Sequence, residues 1–319
     1  MLRGLASLSV AWFHFTHGNP GFLPNDWLKS TGNWGWLGVE IFFVISGFII
    51  PYSLWKNNFV FKNHWYKFIL KRIARIDPPY FISMILSISL WYLSTVIPGF
   101  KGTSPEIDWV QISAHFGYLI DFMGLNWIQP IYWSLAIEFQ YYLFICLIIP
   151  LLLNKNIWIV RLSLLLLLMS PFGFENRIVV FYWMGLFVLG ISSFLYFIGK
   201  IKIPELILFQ ILSSAVCWKI IGFPEMIAGL LAVLFILLVN IKPIRPLIIL
   251  GSISYSLYLV HIPVGGKVIN LFSRFSDTLF FQILGLFSAL SVSLVFGWVF
   301  YKYIERPSQE LASKIRYKK

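Results

Sequence analysis

The sequence is poor in charge and in cysteine. Only 12% of its 319 residues are charged, whereas a soluble domain carries about 25%. Hydrophobic residues make up 59% of the chain, and that much apolar surface stays out of water only in lipid. The two cysteines, Cys146 and Cys217, fall within apolar runs and have neither disulfide-framework nor zinc-site spacing. There is no internal repeat and no low-complexity tract, so the sequence predicts an integral membrane protein.

The apolar residues fall into long runs separated by short polar segments. These runs predict an all-α, polytopic integral membrane protein with about ten transmembrane helices in one bundle. The predicted spans are residues 2–17, 36–55, 78–97, 131–153, 157–172, 178–198, 204–221, 225–240, 247–269 and 279–303. The first run lacks a small-residue cleavage site, so we expect it to be retained. We divide the chain into a transmembrane domain, residues 1–306, and a basic cytoplasmic tail, residues 307–319.

A formal net charge of +12 accompanies this composition. With the N-terminus in the cytoplasm, 19 of the 25 Lys and Arg residues fall on the inner side of the predicted spans and six on the outer side. This asymmetry follows the positive-inside rule, so the charge reports topology. We therefore expect membrane lipids, and no nucleic acid, as partners. The sequence predicts a protein of the cytoplasmic (inner) membrane with both termini in the cytoplasm.

Two ionisable residues stand out in the first predicted span. Arg3 and His14 are eleven residues apart, which is an axial rise of about 16 Å in an α-helix. Eleven steps of about 100° bring the two side chains to within roughly 20° of the same face. Ionisable groups inside a membrane usually face a bundle interior or a wet cavity. Both residues are therefore candidates for function.

A carboxylate in the fourth predicted span lies at a similar depth. Glu138 is about seven residues, roughly 10 Å, below the outer surface of a hydrocarbon core about 30 Å thick. His14 lies about 16 Å above the inner surface, so the two depths nearly coincide. A contact between His14 and Glu138 is geometrically allowed. It could be a catalytic pair or a structural ion pair.

The inner segment before the third span carries a pair of arginines. Arg72 and Arg75 are three residues apart, so on a helix they share a face and could clamp one anion. The alternative is a basic cluster that binds anionic lipid headgroups and sets topology. Pro78 and Pro79 follow and are expected to end or kink the preceding helix.

Two further polar residues have structural alternatives. Glu40 lies near the outer end of the second span, where it could be functional or simply a solvated helix end. In the same span, Ser46 and Gly47 are small enough to let another helix approach closely. His115 lies in residues 109–121, which we expect to form a short interfacial or re-entrant helix, and we interpret it as structural.

Five sequence features occur in one order along nearly the whole chain. They are Arg-x10-His at Arg3 and His14, GVEIFFVISGF at 38–48, RIARIDPPY at 72–80, WSLAIEFQYY at 133–142 and SYSLYLVH at 254–261. Together they resemble the acyltransferase 3 family, integral membrane acyltransferases that modify sugars of surface polysaccharides. The family often has Asp where this chain has Glu40, a chemically equivalent change.

The resemblance implies transfer of an acyl group, expected to be acetyl, from cytoplasmic acyl-CoA to a hydroxyl of a surface polysaccharide or lipid-linked sugar. Arg72 and Arg75, with Arg3, would bind the CoA donor. His14 would act as general base or carry the acyl group, since its reference pKa near 6.5 suits base chemistry. Glu138 would orient the imidazole and stabilise its cation. We expect acetyl-CoA as the donor substrate and no metal.

The acceptor side is less defined. The candidates for lining it are Glu40, Ser254, Tyr258 and His261. Many family members carry a second extracytoplasmic hydrolase-like domain, for which this chain has no room, so the membrane domain or a separate protein would complete the transfer. The alternative function is a proton-coupled transporter or flippase of a sugar or lipid-linked sugar, which would also use mid-membrane His and Glu. The lack of a repeat between the two halves argues against it.

Overall fold

The computed structural model describes residues 1–24, 26–98, 100, 102–239, 244–275 and 278–317. All regular structure in these residues is helical. The α-helices are α1 Leu2–His17, α2 Trp27–Ser30, α3 Gly38–Lys56, α4 Phe61–Thr95, α5 Trp109–Phe116, α6 Trp133–Leu152, α7 Ile157–Met169, α8 Met184–Phe197, α9 Ile203–Ile220, α10 Phe223–Leu238, α11 Arg245–Ser252, α12 Ser254–Val260, α13 Lys267–Phe272, α14 Leu279–Phe300 and α15 Arg306–Lys314. Two π-helical turns, His261–Gly266 and Tyr301–Glu305, interrupt the last two apolar segments.

The chain is a polytopic helical membrane protein, but the structure does not confirm a count of ten spans. Among the described residues, six helices are long and apolar enough to cross a membrane. A seventh is added if α11 and the segment Ser254–Phe272, bent by 55° relative to each other, form one span. Two shorter apolar helices, Ile157–Gly173 and Phe223–Leu238, correspond to predicted spans, and residue 240 of the latter prediction lies outside the described residues. The first predicted span is α1, which has 16 residues and is therefore shorter than each of the six candidate membrane-spanning helices.

Helix α4 does not end at its prolines, so of the two expected outcomes, an end or a kink, the end is wrong. It runs for 35 residues through Pro78 and Pro79. A helix of this length measures about 50 Å and exceeds a hydrocarbon core of about 30 Å. Its first half, which we expected to be an inner loop, is therefore helical and projects beyond the core. Helix α15, in the predicted tail, packs along α4, and the last two residues of that tail lie outside the described residues.

Small residues bring α3 and α8 into close contact, which confirms that another helix approaches closely at Gly47. A Cβ at Gly47 would overlap the carbonyl oxygen of Phe187, and one at Gly190 would overlap that of Val44. The reciprocal pattern lets the two backbones touch, which is the usual basis of helix association in lipid. This contact anchors the core of the bundle. Helix α1 packs separately against α3, α12 and α14.

The π-helical turn His261–Gly266 places a histidine against α1. Pro263 within it has no backbone N–H, so a regular α-helical hydrogen-bond ladder cannot continue there. A Cβ at Gly265 would collide with Phe15 of α1 and with Ser293 of α14. The turn is therefore held tightly between α1 and α14.

Candidate active site

His14 lines a cavity of about 360 Å³ at the end of α1 farther from Arg3. The other walls come from α4, from residues 128–130 and from the turn that leads into α13. The imidazole is half-buried and faces this interior space. The cavity lies within the size range of small-molecule sites.

The hydrogen bonds around His14 determine which ring nitrogen carries the proton. His261 Nδ1 lies 2.7 Å from the carbonyl oxygen of Tyr258 and 3.2 Å from that of Leu257. Both are acceptors, so in a neutral ring this nitrogen carries the hydrogen and Nε2 is the acceptor. His14 Nδ1 lies 3.2 Å from that Nε2 and 2.9 Å from the carbonyl oxygen of Val10. His14 Nδ1 therefore carries the hydrogen and donates to both.

The same assignment leaves Nε2 of His14 as the unprotonated nitrogen. Within the described residues it takes part in no hydrogen bond. A proton accepted there would leave the Nδ1–H donor in place. The resulting cation would be stabilised by Val10 and His261, because hydrogen bonds from charged donors are stronger than neutral ones. The arrangement suits a general base.

Glu138 does not contact His14, so the expected His–Glu pair is absent from the described contacts. Its Oε1 accepts a hydrogen bond from Ser46 Oγ at 3.0 Å and another from the hydroxyl of Tyr142. The side chain that hydrogen-bonds to His14 is instead that of His261, a residue expected on the acceptor side. Matching depth along the membrane normal allowed the pair, but α1 packs mainly against α3, α11 and α12 rather than against α6.

A second cavity lies toward the Arg3 end of α1. Its volume is about 30 Å³, and residues of α1, α3, α6 and α12 line it. Ser254 and Tyr258, expected beside the acceptor, line this cavity together with Arg3 and Glu138. The Tyr258 hydroxyl pairs with Ser134 Oγ at 2.7 Å, while its backbone carbonyl accepts from His261. Tyr258 thus links the two cavities.

The three candidate donor-binding arginines belong to one cluster. Arg75 is exposed and interacts electrostatically with Arg3 and Arg72. The guanidinium carbon of Arg72 lies 5.0 Å from the ring centre of Phe68 and 5.1 Å from that of Tyr142. Its Nε is buried and has no hydrogen-bond partner. Arg72 and Arg75 line neither of the two cavities, so these cavities do not connect them directly to His14.

Glu305 is a charged residue of this cluster that the sequence did not single out. It is only 3% exposed. Its Oε2 accepts hydrogen bonds from the backbone N–H of Ser256 at 3.1 Å and from its hydroxyl at 2.6 Å. It also interacts electrostatically with Arg3 and Arg75. The only sequence signal was an acidic residue directly after an apolar span, which also describes an ordinary helix end.

Glu40 is buried, which rules out the solvated helix end. It is 3% exposed, and its Oε2 has no hydrogen-bond partner among the described residues. It lines neither cavity, and Glu225 and Arg177 are among its electrostatic neighbours. Among the other candidate acceptor residues, Tyr258 interacts electrostatically with Glu40, although Glu40 does not line the cavity that Tyr258 lines.

His115 has the hydrogen bonds of a structural residue. It lies on α5, which occupies part of the predicted segment 109–121 and is not among the candidate spans. Its Nδ1 lies 2.8 Å from the Tyr80 hydroxyl, and its Nε2 accepts from the backbone N–H of Ile128 at 3.4 Å. Burial lowers the pKa of His115 to about 4. A neutral imidazole therefore joins α4, α5 and the segment before α6.

Comparison with known proteins assigns the chain to a family. The family model described as "Acyltransferase domain", Acyl_transf_3, matches residues 1–302. The chain belongs to the acyltransferase 3 family. The match includes His14, His261 and the three arginines within one domain of that family. It gives no support to the carrier alternative.

Several known proteins are similar to this chain. The O-acetyltransferase OatA of Staphylococcus aureus is 26% identical across 98% of the chain and 57% of its own length. The peptidoglycan O-acetyltransferase OatA of Listeria monocytogenes is 29% identical across 44% of the chain and 22% of its own length. A putative acetyltransferase of Acidianus two-tailed virus is 30% identical across 46% of the chain and 39% of its own length. The chain thus spans little more than half of the first relative, and no solved structure matches it significantly.

Proposed function

We propose that this protein is a membrane-embedded O-acetyltransferase that moves an acetyl group from cytoplasmic acetyl-CoA to a sugar hydroxyl on the opposite side of the membrane. Membership of the acyltransferase 3 family and the names of its OatA relatives support the reaction class. The observation that carries the proposal is the arrangement of α1. It ends in an arginine cluster on one side and presents an unprotonated imidazole nitrogen to a cavity on the other.

The arginine cluster is the proposed binding site for the CoA phosphates. Arg75 is exposed, so a soluble anion can reach it. Arg72 offers a buried Nε that has no partner in the described structure, and a guanidinium can bind phosphate by paired, charge-assisted hydrogen bonds. Glu305 balances part of the positive charge and supports the site while it is empty. The positive-inside asymmetry of the sequence puts this end in the cytoplasm.

The thioester arm must pass from the arginines to His14, a rise of about 16 Å along α1. The second cavity, beside Arg3 and Tyr258, lies on this route. Its volume of about 30 Å³ is roughly that of one water molecule, so the arm enters only when α3, α6 and α12 move apart. Donor binding at the arginines would therefore be coupled to opening of this passage.

The chemical step takes place at the His14 cavity. The acceptor hydroxyl attacks the thioester carbonyl while His14 Nε2 accepts the hydroxyl proton. A carbon–oxygen bond forms, the carbon–sulfur bond breaks, and the proton passes from His14 to the leaving CoA thiolate. Val10 and His261 hold Nδ1–H throughout, as the third group of a catalytic triad does. The products are an acetylated sugar and free CoA.

A His14→Ala variant tests the assignment of the base. We expect it to abolish O-acetylation of surface glycans, measured by mass spectrometry, while the protein still inserts in the membrane. His17→Ala is a matched control, since His17 lies one turn away on α1 and lines neither cavity. Unchanged acetylation in the His14 variant would refute the mechanism.

A double variant, Arg72→Gln with Arg75→Gln, tests the donor site. We expect the Kd of acetyl-CoA, measured by titration calorimetry, to rise at least tenfold, because each charge-assisted hydrogen bond contributes about 1.5–3 kcal/mol. Lys62→Gln with Lys67→Gln removes two charges from the same helix and should leave the affinity unchanged. Intact binding with an altered topology in the arginine variant would instead support the lipid-headgroup interpretation.

A further inference from the structure

The His14 cavity has a wall that the proposed reaction does not explain. On α13, Asn270 and Leu271 lie three and four residues after Lys267, which places the three on one face, and Arg274 follows in the turn after the helix. Lys267 and Asn270 line both the His14 cavity and a neighbouring cavity of about 220 Å³. Leu271 and Arg274 line only the neighbour. One helix face thus joins two adjoining spaces.

The two spaces differ in chemistry. The His14 cavity contains amides and an indole: the amide nitrogen of Asn19 donates to Asn270 at 2.8 Å, and Trp91 is held by its Nε1–H bond to the Thr103 carbonyl at 3.0 Å. Such groups suit a sugar ring. The neighbouring cavity is mainly aliphatic, with Leu90, Leu93, Ile97 and Leu271 among its lining residues, and suits a hydrocarbon chain.

Two cations line the aliphatic cavity, and one of them, Lys267, lies where the two spaces adjoin. Lys267 Nζ donates to Ser94 Oγ at 2.7 Å, which leaves two of its three N–H donors for a ligand. Arg274 Nη1 donates to the carbonyl of Pro98 at 2.9 Å. Neither forms a salt bridge with a carboxylate of the described residues. They are also among the few cations that the topology assigns to the outer side, where the positive-inside rule does not account for them.

We propose that the acceptor is a sugar joined through phosphate to a membrane lipid. The sugar lies in the His14 cavity, Lys267 and Arg274 bind the phosphate, and the first part of the lipid chain lies in the aliphatic cavity. The location of the sugar rests on the proposed function, whereas the phosphate and chain sites rest on the two cavities alone. An acceptor of this class has a sugar, an anion and an apolar chain in the order in which the His14 cavity, the two cations and the aliphatic cavity follow one another.

Geranyl phosphate is a suitable probe, because it carries the phosphate and chain without the sugar. Its binding to the full-length protein in phosphatidylcholine nanodiscs is measured by titration calorimetry, with geraniol as the uncharged analogue. We expect Lys267→Gln with Arg274→Gln to raise the Kd of geranyl phosphate about tenfold and to leave that of geraniol unchanged. Lys267→Arg should retain most of the affinity. Lys219→Gln, an outer cation that lines neither cavity, is the matched control and should bind like the wild type.

Octyl glucuronide, which carries its charge on the sugar, distinguishes the two sources of anion. If it binds as tightly as geranyl phosphate and depends equally on Lys267, the acceptor is an acidic sugar and the proposal is wrong. It is also wrong if the double variant binds geranyl phosphate normally. His14→Ala should retain geranyl phosphate binding, so acetylation that survives this variant would overturn the proposed function and leave the phosphate site standing.

Discussion

Replacing His261 separates a positioning role from a packing role at the proposed active site. His261 is fully buried and accepts a hydrogen bond from His14 Nδ1 at 3.2 Å. In His261→Phe a ring of similar size fills the space but accepts no hydrogen bond. His261→Gln is a poorer fit in shape, yet its side-chain oxygen can accept from His14. If His261 only fills space, the Phe variant should be the more active of the two, whereas if His261 positions His14, the Gln variant should be.

The expected magnitude follows from the hydrogen bonds. Val10 still accepts from His14 Nδ1 in the Phe variant, so the tautomer of His14 is retained. What is lost is one bond, worth about 0.5–1.5 kcal/mol to a neutral ring and about 1.5–3 kcal/mol to the cation formed during transfer. The difference of about 1.4 kcal/mol raises the barrier and lowers kcat about tenfold. The KM for acetyl-CoA should not change, because its binding residues are at the other end of α1.

The assay is the initial rate of radiolabelled acetyl transfer from acetyl-CoA into the glycan and lipid fractions of inverted membrane vesicles. We expect the Gln variant to retain most of the wild-type rate and the Phe variant about a tenth of it. Ser293→Ala is the local control, since Ser293 packs against the same π-helical turn and its hydroxyl has no hydrogen-bond partner among the described residues. A Phe variant at least as active as the Gln variant would refute positioning, and complete loss in both would show that His261 itself is the base.

Three further predictions concern stability, each measured by thermal unfolding in detergent. Glu305→Gln should lower the free energy of unfolding by about 1.5–3 kcal/mol, because it weakens the charge-assisted hydrogen bonds from Ser256. The control Glu310→Gln, on the exposed face of α15, should change the free energy of unfolding by less than about 0.5 kcal/mol. Equal effects of the two substitutions would contradict a stabilising role for the buried Glu305. Gly47→Ala should lower the free energy of unfolding by about 1–3 kcal/mol, because the added Cβ overlaps Phe187. The control Gly173→Ala, where no atom lies within 4 Å of the added Cβ, should lower it far less. An unchanged stability of the Gly47 variant would show that α3 and α8 can move apart. The pKa of His115 is lowered from 6.5 to about 4 in the folded protein, so the unfolded chain binds this proton more readily. The stability contributed by neutral His115 is therefore fully present above pH 6.5 and is lost as the pH falls toward 4, by up to about 3 kcal/mol. His115→Gln should flatten the dependence of Tm on pH in that window, and an unchanged curve would assign the dependence to other groups.

Relations within one helix could be predicted from the sequence. Arg3 and His14 share a face of α1 because α-helical geometry fixes the angle and rise between any two of its residues. The same geometry explains why Arg72 and Arg75 lie together on α4. The apolar composition was enough to predict a helical membrane protein, since lipid leaves backbone polar groups few other ways to be satisfied.

Local rules were less reliable where tertiary contacts oppose them. Pro78 and Pro79 predicted an end or a kink in the helix that precedes them, and α4 does not end there but continues through both. The hydroxyl of Tyr255 donates to the carbonyl of Ile76 beside them, and α15 packs against the same helix. Glu305 directly follows an apolar span, which also describes a solvated helix end, but the backbone N–H and hydroxyl of Ser256 donate hydrogen bonds to it in the protein interior.

Contacts between helices were decided only by the tertiary structure. The partner of His14 is His261, 247 residues away, and Glu138 contacts Ser46 and Tyr142 instead. Apolar helices look alike to lipid, so hydropathy gives the depth of a residue and not its neighbours. Which faces meet depends on the fit of small residues such as Gly47 and on the π-helical turn at His261. The sequence thus determined which groups lie inside the membrane, and packing determined which of them act together.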